Sequence, residues 1–291
     1  MPEKHYDRAA QDIGNIVGLG HVNVCITDQH LATHFYVTGL GYTRDPYLNT
    51  GAGNMWINVG MSQFHLPMGT PDKLRGVIGL VMPDREALLN RLNRVKKPLE
   101  GTKFAFRESN DGVETVCPWG NRIHVHTPDA ARFGRIQLGM PYIRFDVRPG
   151  TAERIARFYR EIVHAPSDVT QNGAGAEARV QVGERQYFYF RETDAPEQPY
   201  DRHHVQIYIS DFSGPHRRLL DLGLVTMESN EYEYRFRDVI DLDSRDVLFT
   251  VEHETRSQTN PMYGRPLVNR NPAQTNMDYR PGHDDLGWAM A

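Results

Sequence analysis

The stretch GHVNVCITD, residues 20–28, returns much later in the chain as HHVQIYISD, residues 203–211. His21, Val22, Val24, Ile26 and Asp28 in the first keep the spacing of His204, Val205, Ile207, Ile209 and Asp211 in the second. Apolar residues at every second position have the period of a β-strand. A chain that spells such a strand twice, each time opened by an imidazole, is built from repeated units.

The segments downstream of each strand define the unit. After GHVNVCITD, the segment QHLATHFYVTGLG spaces Leu31, His34, Phe35 and Val37 or Thr38 as a helix does and stops at Gly39 and Gly41. YTRDPYL, NMWINVG and SQFHLPM come next, three short strands rich in aromatic and β-branched residues, parted by the turn formers Asn49, Gly51, Gly53, Gly60 and Ser62. The unit reads βαβββ. The order recurs over 76–128 (GVIGLVMPD, the helix REALLNRLNRV, then KFAFRE, VETVCP and RIHVHTP) and over 141–193, where the polar loop QNGAGAE precedes ARVQVG and QYFYFRE. It recurs again over 203–255, where VTMESNEYEYRFRDVIDL and DVLFTVEHE come after the helix GPHRRLLDLGL. Self-similarity at a period of roughly 55 residues is the mark of a modular chain.

Such a module covers only one face of its sheet with a helix, so it must pair with another, and paired modules curl into a cup. The expected fold class is α+β: four βαβββ modules paired into two cup-shaped mixed sheets, with N- and C-terminal extensions. Residues 1–16 read as an N-terminal extension, 17–130 as a first domain of modules 1 and 2, and 138–255 as a second of modules 3 and 4, linked by ARFGRIQLGM. Residues 256–291, rich in Pro and Asn, read as an extended surface tail with Trp288 as its anchor.

Composition narrows the partners. A net charge of −4 over 291 residues, with Lys and Arg scattered, offers no basic stripe for nucleic acid. No apolar run approaches about 18 residues, and the first twenty residues lack a signal-peptide core, so no membrane partner and a cytoplasmic location are expected. Cys25 and Cys117 are too few for a disulfide framework. The remaining partner is a small-molecule substrate, and a homodimer is compatible with the composition.

GHVNVCITD with FYVTGLGYTRDP after it, the NMWINVG and SQFHLP pair, and CPWGNRIHVH resemble the vicinal oxygen chelate superfamily, which includes glyoxalase I, extradiol dioxygenases and bleomycin or fosfomycin resistance proteins. The resemblance covers roughly residues 17–255. It implies a divalent metal in a cup, held from the first and last strands of two paired modules. On that expectation the first module offers His21 and His65, the second Val77 and His124, the third Tyr142 or Arg144 with Phe188, and the fourth His204 with Thr250 or Glu252. Modules pairing in chain order would gather His21, His65 and His124; the first pairing with the fourth would gather His21, His65, His204 and Glu252, the expected metal set. Imidazoles with one carboxylate suit Fe(II) or Mn(II), with Zn, Ni and Co also admissible. His124 and His203 are expected to move protons, and Tyr234 to meet substrate. The resemblance thus implies a mononuclear dioxygenase acting on an aromatic or enediol compound. A glyoxalase-like lyase or isomerase, with Glu252 as base, and a non-catalytic binding protein are the alternatives.

Overall fold

The computed structural model describes residues 6–48, 51–173 and 175–269. The first module holds β1 (Ile16–Asn23), α1 (Gln29–Ala32) running on into a π-helical turn (Thr33–Gly39), β2 (Thr43–Arg44), β3 (Asn54–Val59) and β4 (Ser62–Pro67). The second holds β5 (Gly76–Val81), α2 (Arg85–Arg94), β6 (Ala105–Ser109), β7 (Gly112–Val116) and β8 (Arg122–His126), and a short α3 (Ala130–Phe133) leads out of it. The third holds β9 (Gly139–Val147), α4 (Ala152–Phe158) with a π-helical turn (Tyr159–Val163), β10 (Ser167–Asn172), β11 (Gly175–Gly183) and β12 (Gln186–Glu192). The fourth holds β13 (His204–Ile209), α5 (Ser213–Asp221), β14 (Val225–Asn230), β15 (Glu233–Ile240) and β16 (Val247–Ser257).

The aspartate that closes each repeated strand starts the helix after it. Asp28 accepts from the amides of His30 and Leu31 at 2.6 and 3.1 Å, Asp84 from Ala87 at 2.9 Å, and Asp211 from Gly214 at 3.0 Å. Each satisfies donors that a helix N-terminus leaves open. The third module uses Glu192 of its last strand instead, at 2.9 Å from the Ala152 amide. QNGAGAE, expected as a loop, is largely strand: Gln171 pairs with Ala176 and Asn172 with Gly175. SDVTQN lies at a sheet edge, where no apolar alternation is required, so its sequence carries no strand period.

Two eight-stranded mixed sheets result, ordered β14-β15-β16-β13-β1-β4-β3-β2 and β10-β11-β12-β9-β5-β8-β7-β6. Module 1 therefore shares a sheet with module 4, and module 2 with module 3. The split into 17–130 and 138–255, which groups modules in chain order, is not the grouping the sheets make. The seam explains why. β1 runs antiparallel to β13, with Ile16 opposite Ile209 and Val22 opposite Val205, so the two histidine-bearing strands cover each other's edges. Asn15 ties this seam: its Nδ2 donates to the Val163 carbonyl at 2.9 Å and its Oδ1 accepts from the Asp211 amide at 2.5 Å.

The core lies between the sheets, with helices packed into it. Phe158 meets Phe236 of β15, while the next residue, Tyr159, meets Phe190 of β12 and His253 of β16. Phe145 of β9 touches Phe249 of β16 directly. Both sheets therefore turn one face inward, and their opposite, concave faces are left for chemistry.

Candidate metal centre

The first concave face gathers histidines from three strands. The ring of His21 on β1 lies 5.6 Å, centroid to centroid, from His65 on β4 and 5.6 Å from His204 on β13. One ligand atom of each lies within 4.8 Å of the others. Pairing sets this up: β1 and β4 are parallel with Asn23 opposite His65, and β13 and β16 are parallel with Gln206 opposite Glu254. Each module thus presents its first-strand histidine and the last-strand residue one inward step beyond it. For module 4 that residue is Glu254, whose Oε2 lies 3.4 Å from His204 Nε2 and 3.8 Å from His21 Nε2.

Glu252, the expected carboxylate, sits one step short. Its Oε1 is 3.8 Å from His204 Nδ1 and accepts from Arg235 Nη1 at 2.8 Å. Thr250 is farther along and donates to Asp238. The string EHE puts Glu252 and Glu254 on one face, and only the register between β13 and β16 separates them.

Burial tunes the cluster. It drives the His21 imidazole well below its ordinary value, partly opposed by Glu254, and takes His65 down to about 3, with the His204 charge adding to the shift. Both rings are therefore neutral, and that of His21 has a lone pair to offer. Burial raises the Glu254 carboxyl, but His21, His204, Arg256 and Arg235 together outweigh it and keep the group ionised. Arg235 Nη2 and Arg256 Nη2 hold the two Glu254 oxygens at 2.7 and 2.6 Å. His65 stacks on Trp56 at 3.9 Å.

Whether these residues suit a cation is decided by two nitrogens. His21 Nε2 is buried with no hydrogen-bond partner among the described residues, and the buried His204 Nε2 meets only Glu254 Oε2, at 3.4 Å. Buried polar atoms are rarely left so, and two converging on an ionised carboxylate fit a cation. His65 Nδ1 instead accepts from Asn23 Nδ2 at 2.7 Å, and its Nε2 donates to Asn54 Oδ1 at 3.0 Å. One of these amide contacts has to give way for His65 to join.

The C-terminal segment reaches the same face. Arg265 Nη2 binds the buried Asp45 carboxylate at 2.6 Å, Asn58 Nδ2 donates to the Val268 carbonyl at 2.9 Å, and the Asn269 side chain bridges the amide and carbonyl of Gly60. Gln63, two residues before His65, bonds both Asp45 and Asn58. The strap crosses the cup beside the histidines. Strand β16 runs to Ser257, so the tail starts two residues later than expected; Trp288 lies outside the described residues.

The expected proton-moving residues lie elsewhere. His124 is on β8 of the other sheet. His203 faces away from His204, with its Nδ1 2.6 Å from Asp201 Oδ1 and its ring 5.3 Å from that of Tyr200. Tyr234 is on the helix side of β15, against Phe212 and His216, because its neighbour Arg235 takes the cup face. Arg235 and Arg256 are the charged groups that actually meet the cluster. Alternation along EYEYRF carries that information once the face of Glu254 is known.

No family model and no curated protein matches the chain. Among solved structures, a putative dioxygenase from Bacillus subtilis subsp. subtilis str. 168 superposes with a TM-score of 0.55 at 15% identity, over 85% of this chain and 87% of that one. Glyoxalase I from Zea mays superposes with a TM-score of 0.55 at 11% identity, over 83% and 92% of the two chains. The chain has the fold of these two proteins, βαβββ modules paired into mixed sheets.

Paired modules form a sheet twice in the molecule, and the cup of the second sheet differs. Val77 is opposite Arg144, Gly79 is opposite both Tyr142 and His124, and Arg144 is beside Tyr189. By register, Val77, His124, Tyr142 and Tyr189 hold the places of His21, His65, His204 and Glu254. The Tyr142 ring lies flat over Gly79, where an added Cβ would come within 2.2 Å of it. Asp111, His124 and His126 also bring ligand atoms within 4.8 Å. However, His126 is taken up by the Asp111 carbonyl and the Tyr142 hydroxyl at 2.9 and 2.8 Å, and the exposed Asp111 is paired with Arg132.

Proposed function

We propose that this protein is a metal-dependent enzyme whose small substrate is held through two neighbouring oxygens in the first cup, and that its reaction is a dioxygenation of an aromatic or enediol compound. The observation that carries the reading is the convergence of two buried nitrogens, His21 Nε2 without a hydrogen-bond partner among the described residues and His204 Nε2, on the ionised Glu254. His21, His65 and His204 would hold the ion, Fe(II) or Mn(II) by preference, and such an ion supplies Lewis acidity toward substrate hydroxyls together with positions for substrate and dioxygen.

The chain's own residues do the rest. Glu254, with its charge already balanced by Arg235 and Arg256, supports a donor set of three imidazoles and serves as proton acceptor at Oε2. Asn23 and Asn54 orient the His65 ring, and Trp56 walls its flat side. The strap at Arg265 and Asn269 keeps water from one end of the cup. The likeness of fold to a putative dioxygenase agrees with this reading.

A second reading, isomerisation through an enediolate, is favoured by Glu254 Oε2 lying 3.4 Å from His204 Nε2, close enough to act as both ligand and base. The likeness to glyoxalase I agrees with it. Untagged protein reloaded with Fe(II) or Mn(II) is expected to hold one equivalent and to consume oxygen with a catechol among a panel. Metal binding without oxygen uptake, but with exchange of substrate carbon-bound hydrogen for solvent deuterium, would establish the isomerase instead. Metal content that stays far below one equivalent after reloading would overturn both.

A further inference from the structure

The second cup has a guanidinium at its centre that makes no ion pair among the described residues. Arg144 lies on β9, opposite Val77 of β5 and beside Tyr189 of β12, on the floor of the sheet. It is half-buried, its Nε is shielded from solvent without a hydrogen-bond partner, and no ion pair reaches it among the described residues. The other arginines of this face are engaged. Arg122 and Arg191 share Asp146 at 2.7 and 2.6 Å, and Arg107 takes Glu114 at 2.6 Å. Glu177 is near enough for its field to be felt but forms no ion pair with Arg144; burial raises its carboxyl, with Arg144 and Arg191 opposing.

A half-buried guanidinium with no ion pair keeps its planar fork of donors free for an anion. Space for one exists directly above. A cavity of about 320 Å³ is lined by Arg144 and His124, by the apolar groups of Val77, Phe106 and Val116, and by Glu114, whose charge Arg107 takes up. His124 Nε2 is also buried without a partner. The volume is at the small end of ligand clefts, roughly 300–1,000 Å³, and the lining joins an apolar wall to convergent polar groups.

We infer that the second cup is a binding site for a small aromatic carboxylate: Arg144 takes the carboxylate, His124 Nε2 makes a second polar contact, and the ring lies against Val77, Phe106 and Val116. The site is independent of the metal proposed for the first cup.

Benzoate, benzamide and inorganic phosphate titrated calorimetrically into the untagged full chain test this. Benzoate should bind with one equivalent, and benzamide, which lacks the charge, at least about tenfold more weakly. Arg144→Gln should weaken benzoate by about 10- to 100-fold, with Arg144→Lys restoring part of the loss. Ala105→Trp, a change at an exposed position of the cavity wall, should block binding with Arg144 intact. His204→Ala, in the other sheet, should leave benzoate affinity unchanged. Benzoate affinity that survives Arg144→Gln, that is matched by benzamide or by phosphate, or that disappears with His204→Ala overturns the inference, as does absence of benzoate binding altogether.

Discussion

The two cups are built from modules of one pattern and differ at four positions that correspond by strand register. The first has His21, His65, His204 and Glu254; the second has Val77, His124, Tyr142 and Tyr189 in the same register. At the centre of each floor, Gln206 of the first cup is replaced by Arg144 in the second. The backbone pairing is alike in both, so the fold supplies a convergence point and the side chains decide what converges. In the first it is neutral imidazoles and a carboxylate, suited to a cation. In the second it is a guanidinium with no ion pair among the described residues, beside apolar groups, which is the ground for the anion site inferred above.

The largest expected effect tests that asymmetry at its root. His204→Ala should lower metal affinity by about a hundredfold or more, since loss of even an outer partner costs roughly 10- to 100-fold. His124→Ala, at the place of His65 in the other cup, should leave metal content unchanged by elemental analysis. Equal losses from the two would erase the distinction between the cups.

Next in size is the strap, which only the first cup has among the described residues. Arg265→Ala leaves the fully buried Asp45 carboxylate without its cation. Breaking a buried pair costs about 3–5 kcal/mol, and here about 2–3 kcal/mol is expected, because the amides of Tyr47 and Leu48 and the side chain of Gln63 still serve Asp45. Urea denaturation measures it, and hydrogen exchange at Gly60 should accelerate alongside.

The choice between carboxylates is a finer cut. Glu254→Gln should lower turnover by about 10- to 100-fold, while Glu252→Gln, one step from the cluster, should lower it by only about threefold or less. The reverse order in steady-state kinetics would return the site to the residue expected from the sequence.

The smallest effect is a pH dependence. Burial, with His124 adding to it, lowers His126 in the second cup to about 4. Its folded value lies below the unfolded value of 6.5, so as pH falls the unfolded chain takes the proton first. This contribution to stability is full above pH 6.5 and is lost as pH falls toward about 4, by about 1 kcal/mol at pH 5 once solvent screening is allowed for. His126→Gln should flatten that part of the profile equally with and without metal. Acid sensitivity of the His65 cluster, by contrast, should diminish when metal is loaded.

Much of this is legible in the amino-acid order. Strand period, helix spacing and turn residues locate the four modules, and the repeated histidine strands point to His21 and His204. His65 is found from its place in the last strand of its module. The departures have a common cause. Tyr234 is expected to meet substrate and His203 to move protons, although alternation places each on the face opposite its neighbour, Arg235 or His204, and nothing local says which face is inward. SDVTQN is hidden because an edge strand has no apolar pattern to show.

Local sequence therefore determined what each module is and which residue types it carries, because helix and strand periods and the aspartate caps act over a few residues. Which modules share a sheet, and whether Glu252 or Glu254 meets the imidazoles, was decided only in three dimensions. Both depend on the pairing of strands far apart in the chain, β1 with β13 and β13 with β16, where a shift of one inward step exchanges one carboxylate for another.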